Sequence, residues 1–135
     1  MATLKLQIVT PEAVTFSEDV EMVTLPGIEG EMGIYPMHVP LVTQIVPGEI
    51  AVRRGGQDML LAVGEGFVEI TGEGVSVLTD MAITADNIDE AKAEEARKRA
   101  EVRLSEKISD EETVAVQAAL ANSLAQLNVK RRQRR

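Results

Sequence analysis

Leu25-Pro26-Gly27-Ile28-Glu29-Gly30-Glu31-Met32-Gly33-Ile34-Tyr35-Pro36-Met37-His38-Val39-Pro40-Leu41 holds three glycines and three prolines within seventeen residues. Proline removes an amide donor and glycine brings backbone freedom that a helix must suppress, so no regular helix runs here. The stretch reads as a shaped loop. Gly27, Gly30 and Gly33, spaced by three, suit turns or close backbone approach, with Ile34 and Leu41 as apolar anchors on either side. A phosphate-binding loop is disfavoured: no Gly-Lys-Ser/Thr follows, and Pro36 and Pro40 block the helix whose N-terminus would hold the phosphate. A buried connection between sheets is the plain reading.

Outward from this stretch, residues 1–85 read as short strands separated by turns. Leu4, Leu6 and Ile8 alternate with polar neighbours, Val14 and Phe16 alternate, and Val20 to Leu25 leads into the loop. Ile50 and Val52 alternate before Arg54-Gly55-Gly56-Gln57, a hairpin-turn signal, after which Met59 to Val63 forms a continuous apolar strand. Gly64-Glu65-Gly66 breaks it. Phe67-Val68-Glu69-Ile70 and Val75-Ser76-Val77-Leu78-Thr79 then flank the turn Thr71-Gly72-Glu73-Gly74. Closely spaced turns without helical periodicity predict a β-sandwich or flattened barrel.

At Asp86 the spacing becomes helical. Asn87, with Glu90 three residues on, is the expected N-cap. Ile88, Ala91, Ala96, Ala100, Leu104 and Ile108 trace the first helix's apolar face. Ser109-Asp110-Glu111-Glu112 is a capping box for a second helix, whose stripe is Val116, Leu120, Leu124 and Leu127, with Ala121 and Ala125 beside it. The short connection predicts an antiparallel hairpin over 86–135. Its facing stripes are largely alanine, which buries little apolar area, so the pair needs another surface on the sandwich or on a partner.

The 135 residues suffice for one well-packed core with an appendage and exclude two large domains. Hydrophobic content of 44% with both charge signs argues for a folded soluble protein, and no apolar run approaches the roughly 20 residues of a membrane span. The start lacks a signal or transit pattern, which predicts an intracellular chain. With no cysteine and a single histidine, thiolate or multi-histidine metal sites, cysteine nucleophiles and a triad that needs a histidine pair are out of reach, and no metal is expected. Aromatics at 2% deny the stacking platforms of single-strand nucleic-acid binders. The net charge of −8 is unevenly divided: residues 1–85 carry three basic and twelve acidic side chains (−9), and residues 86–135 carry eleven and ten (+1). Lys130-Arg131-Arg132-Gln133-Arg134-Arg135 concentrates five positive charges at the end.

Along essentially its full length the chain resembles the epsilon subunits of F-type ATP synthases. The residues that carry the resemblance are Leu25 to Leu41 as quoted, Gly64-Glu65-Gly66-Phe67-Val68-Glu69-Ile70 and Val75-Ser76-Val77-Leu78-Thr79-Asp80. The resemblance implies a rotor-binding β-sandwich over 1–85 and a regulatory two-helix hairpin over 86–135 that folds down or extends into the catalytic head and opposes ATP hydrolysis there. It implies a non-catalytic central-stalk subunit with the gamma subunit, the membrane c-ring and the alpha and beta subunits of the head as partners. Its place would be the cytoplasmic face of the inner (plasma) membrane, peripheral and attached only through the complex. On this reading Glu31 and His38 belong to a rotor-contact loop, although a histidine simply hydrogen-bonded within the loop fits equally. Arg97, Arg103, Arg131, Arg132, Arg134 and Arg135 would face acidic segments of the head, against the alternative of a solvated face or a favourable helix C-terminus.

Some members of that family bind ATP on the hairpin through Ile-Asp-x-x-Arg-Ala. The corresponding residues are Ile88-Asp89-Glu90-Ala91-Lys92-Ala93, where lysine keeps the charge but loses the planar donor fork. No cofactor is required, and a regulatory ATP would fall to Ile88, Asp89, Lys92 and Arg99. A free ATP-sensing module is thus the alternative function. A nucleic-acid binder using the terminal arginines is disfavoured by the acidic sandwich, and no nucleophile–base pair or cofactor fingerprint points to an enzyme.

Overall fold

The computed structural model describes residues 2–133 of the chain. Ten strands come first: β1 (Leu4–Val9), β2 (Val14–Val20), β3 (Met22–Gly27), β4 (Gly30–Ile34), β5 (Leu41–Ile45), β6 (Gly48–Arg54), β7 (Gln57–Val63), β8 (Gly66–Ile70), β9 (Gly74–Thr79) and β10 (Ala82–Thr84). A 3-10 turn at Ala85–Asn87 leads into helices α1 (Glu90–Ser105) and α2 (Asp110–Gln133). The hydrogen-bonded order is β10-β7-β6-β3-β5-β8-β9-β1-β2, with β4 on β3; β1 and β9 are parallel and the other pairs antiparallel.

The sheet folds over itself as two layers. One layer is β5-β8-β9-β1-β2 and the other is β10-β7-β6-β3-β4, joined at Gly27↔Ile45. They are joined again where the chain crosses at Glu21: Val20 pairs with Leu4, Met22 pairs with Arg53, and the Glu21 amide donates to the Arg53 carbonyl at 2.8 Å. Arg54 closes the seam by pairing with Glu18 and lying 5.9 Å over the Phe16 ring. Alternate residues point inward, as a half-buried strand requires, so Leu6, Ile8, Val23, Leu25, Ile50, Val52, Leu61, Val68 and Val77 form one core. The expected β-sandwich followed by a helical hairpin is the observed fold.

The opening stretch corrects its own reading. It is a β-hairpin followed by an irregular link, with β3 and β4 joined across the two-residue turn Ile28-Glu29 (Gly27↔Gly30). Gly30 sits at φ 129°, which only glycine adopts without strain, while a Cβ on Gly27 would stand 2.7 Å from the Gly30 carbonyl. Ile34 is buried as expected, but Leu41 is exposed and anchors nothing.

In the hairpin, Asp89 rather than Asn87 caps α1, its carboxylate accepting from the Lys92 amide at 3.1 Å, because Asn87 is consumed by the 3-10 turn. Ser109 caps α2 as read, accepting from the Glu112 amide at 3.2 Å. The buried faces also differ from the expected stripes. In α1 they are Ala93 and Ala100, with Ala91 exposed; in α2 they are Ser123, Ala125, Leu127 and Val129, with Leu124 exposed. Ala125 and Val129, one turn apart, pack with Ala62, Ala85 and Ile88 on the outer face of β7. Ser123 and Leu127 lie on the opposite side of the helix and are covered by α1, against which α2 packs. The hairpin is therefore docked on the sandwich.

Candidate functional site

The two outer faces of the sandwich are unlike. The β6-β7-β10 side carries the hairpin. On the β5-β8-β9 side the outward positions include Val42, Phe67 and Leu78, which are 65%, 54% and 53% exposed. The register makes them one patch: Phe67 is opposite Gln44 on β5 and Leu78 on β9, and Val42 opposite Glu69. Leading into β5, the link Tyr35 to Pro40 turns Tyr35, Met37 and Val39 outward, at 62%, 86% and 71% exposure. Met37 holds φ 70°, a left-handed conformation uncommon for a long side chain. Exposed apolar area arranged contiguously is what a protein interface needs and what an isolated surface avoids.

His38 stands in this link with its Nδ1–H donating to the neighbouring Val39 carbonyl at 2.7 Å, in a cleft beside Leu4, Ile70 and Thr71. Glu31 lies elsewhere, in a cleft with Glu49, Arg53 and Arg132 on the hairpin side. The structure does not bring Glu31 and His38 together.

The hairpin's charged residues are mostly engaged. Arg97 donates to Glu94 through Nε at 3.1 Å and to Glu101 at 2.6 Å, and Arg103 pairs with Glu106 at 2.6 Å and with Glu112 across the interhelical turn. The hydrogen bond from Arg97 holds the Glu94 carboxyl below the ordinary 4.5, opposed by partial desolvation. Arg131 reaches Glu90 at 3.4 Å and Glu94 at 3.2 Å. Arg132 pairs with Glu49 of β6 at 2.6 Å, where the Glu49 side chain is only 20% exposed. Burial pushes Glu49 above 4.5 with help from nearby Glu31, while Arg132 pulls it down. The calls on Arg134 and Arg135 lie outside the described residues.

Of the four candidate ATP residues, Ile88 is buried under α2, Asp89 is the helix cap, and Lys92 is exposed. Arg99 is about two turns beyond Lys92 along α1 and pairs only loosely with Glu95, at 3.6 Å. Arg99 instead borders an open groove of about 770 Å³ between α1 and α2, floored by Ala96, Ala100, Val102, Ala115, Val116 and Ala119. The alanine stripes leave this distal half underfilled. Among the described residues no group of three or more His, Cys, Asp or Glu could hold a metal, and no helix is long and apolar enough to cross a membrane.

Sequence reasoning missed Val42, Phe67 and Leu78 as a patch; their signal was apolar residues at the polar phase of short strands. It also missed Glu49, whose partner is supplied by the far end of the chain.

A two-layer β-sandwich with a docked helical hairpin and one open apolar face defines the class. Residues 3–85 match the family described as ATP synthase, Delta/Epsilon chain, beta-sandwich domain, and residues 86–131 its long alpha-helix domain. The chain belongs to the ATP synthase delta/epsilon family, as the resemblance of Leu25 to Leu41 and the two later motifs implied. It is 41% identical over 129 residues to the ATP synthase epsilon chain of Laribacter hongkongensis, covering 94% of this chain and 92% of that one. With the epsilon chain of Dehalococcoides mccartyi it shares 43% over 136 residues, covering 100% and 97%. In fold it matches a chain of the Euglena gracilis mitochondrial ATP synthase (OSCP/F1/c-ring, rotational state 1), with TM-score 0.78, 24% identity and coverage of 95% of this chain and 81% of that chain. A second match, at TM-score 0.56 and 14% identity, is in the central stalk/c-ring structure from Tetrahymena thermophila, covering 98% and 96%.

Proposed function

We propose that this chain, an epsilon subunit of an ATP synthase, is a non-catalytic rotor part that couples the head to the membrane c-ring and brakes ATP hydrolysis with its hairpin. The observation that carries the reading is the division of the sandwich's two outer faces. One is occupied by the chain's own α2, and the other exposes Val42, Phe67 and Leu78. The open face is suited to the gamma subunit, because burying three large apolar side chains is worth about 1.5–3 kcal/mol each. The outward Tyr35, Met37 and Val39 are suited to the c-ring at the foot of the same layer. Attachment to the cytoplasmic face of the plasma membrane follows through those partners alone.

The brake follows from the hairpin's weak commitment. Three of the five buried residues of its seat, Ala62, Ala85 and Ala125, are alanines, which bury little area when docked beside Ile88 and Val129. A hairpin held this lightly can exchange the sandwich for the head, where Arg97, Arg99 and Arg103 would meet acidic segments of the alpha and beta subunits.

The test is ATP hydrolysis by the cognate head plus gamma with the full chain, with residues 1–85, and with a Phe67→Glu/Leu78→Glu variant. The full chain is expected to slow hydrolysis, 1–85 to bind without slowing it, and the double variant to do neither. Equal slowing by 1–85 would remove the hairpin from the mechanism, and normal binding of the double variant would remove the β5-β8-β9 face from the mount.

A further inference from the structure

Four consecutive residues at the end of α2 grip three parts of the molecule: the 3-10 turn, α1 and β6. The Lys130 ammonium donates to the Ala85 carbonyl at 3.0 Å, on the 3-10 turn. Arg131 points the other way, to Glu90 and Glu94 of α1, and so fixes the helix end within the hairpin while its neighbours hold the rest of the molecule. Arg132 reaches β6 at Glu49. Gln133 Nε2 donates to Asp86 Oδ1 at 2.5 Å. Successive helical residues project about 100° apart, so four in a row encircle the helix and no sideways movement of the last turn leaves all the contacts intact.

We infer that Lys130 to Gln133 form a clasp that locks the hairpin in its docked position, so that the basic end of the chain serves the docked state as much as any partner-bound one. The inference rests on the reading of the hairpin as movable, and it reverses the simplest view of this basic run. If these side chains only met the head, removing them would leave docking untouched. Here they are already bound to carboxylates and carbonyls of their own chain, and an acidic partner must compete for the same donors. The half-buried Glu49 is the contact on which the clasp depends most. Its neighbours Glu31 and Asp58 and the guanidinium of Arg53, itself held by Asp58 at 3.1 Å, surround Arg132 with net negative charge. When Arg132 leaves, Glu31 and Glu49 face each other uncompensated, so the cleft favours its return. Seen from the other side, Glu31 belongs to this seat for the helix end, which gives that residue a role distinct from the one the resemblance assigned it.

The chain has no cysteine, so one introduced thiol reports docking without background. Ala62 is fully buried beneath α2, and Ala62→Cys adds a small hydrophobic side chain there. The rate of thiol labelling of this variant, in the isolated full-length chain without head or gamma, measures how often the hairpin lifts. Adding Glu49→Gln or Arg132→Gln is expected to speed labelling about threefold to tenfold, as for a charged pair between the exposed and half-buried cases. Combining the two should add little to either alone, because both remove one interaction. The charge swap Glu49→Arg with Arg132→Glu should return the rate toward that of the Ala62→Cys reporter alone, in which the clasp is intact. Amide protection in β1 and β9 should not change, separating lifting from unfolding, and Ala125→Cys supplies a second reporter on the helix side. Rates within twofold of the parent for both substitutions, on both reporters, would overturn the clasp. Because no hydrolysis is measured, that outcome is independent of whether the hairpin inhibits the head.

Discussion

Leu127 is the largest fully buried side chain of either helix, set against α1 where the other buried residues are Ala93, Ala100 and Ser123. Leu127→Ala removes three carbons, about 2.4 kcal/mol at roughly 0.8 kcal/mol each, and the cavity left behind raises the total toward about 5 kcal/mol. Alanine neighbours cannot reach into the space, so the upper half of that range is the expectation. At about 1.4 kcal/mol per tenfold, amide hydrogen exchange in α1 and α2 should accelerate by about 400-fold to a few thousand-fold, or lose protection altogether. Strands β1, β6 and β9, whose core is built without the hairpin, should keep their protection. The paired control is Leu124→Ala. That residue is 40% exposed, and its truncation should cost about 0.5 kcal/mol, within threefold in exchange rate. Equal effects of the two substitutions, or loss of protection spread evenly over sandwich and hairpin, would refute the assignment of Leu127 to the interhelical contact.

Two carboxylates should titrate on opposite sides of the ordinary 4.5. Glu94 lies below it, so the stability from its contact with Arg97 is complete above 4.5 and is lost as pH falls through the lowered pKa. Glu49 lies above it because burial, with Glu31, favours its neutral form; that net contribution is complete below 4.5 and fades as pH rises through the raised value, while the attraction to Arg132 acts in the opposite sense on the ionised form. Side-chain carboxyl NMR should give a higher midpoint for Glu49 than for Glu94, and the reverse order would contradict the burial of Glu49 beside Glu31. For nucleotide, Lys92→Arg restores the donor fork of the Ile-Asp-x-x-Arg-Ala pattern and should tighten ATP binding about tenfold in calorimetry. No heat from either chain would leave the hairpin without an ATP site.

Much of the fold was legible because each strand has one face in a single core, so Leu4, Leu6 and Ile8 or Phe67 to Ile70 announce their phase in the sequence. Gly55-Gly56, at φ 60° and 74°, was readable as a hairpin turn for the same local reason. The β3–β4 hairpin was hidden because its turn is Ile28-Glu29, which carries none of the usual turn residues, and because Gly27 and Gly33 resemble loop glycines while sitting in strands. The stripe of α2 misled for a different reason. A helix wedged between a sheet and another helix is buried on two opposite sides, and Ser123, Ala125, Leu127 and Val129 do not make one apolar face. The contact of Arg132 with Glu49 joins residues far apart in the chain, and neither has a local signature. Charge counting could find the basic run but not what it holds.

The seat under α2 is small-featured, with Ala62 and Ala85 at its centre and Leu60, Met81 and Ile83 only partly buried around them. A seat lined with large side chains would hold the helix harder, and would also present an adhesive surface each time it was vacated. Alanine offers little for a stray chain to cling to, and the adjoining strand β10 spans only Ala82–Thr84, too short to recruit another strand onto the sheet. If the hairpin lifts as proposed, the alanines at the seat and the short β10 would limit how strongly the vacated surface draws a second chain.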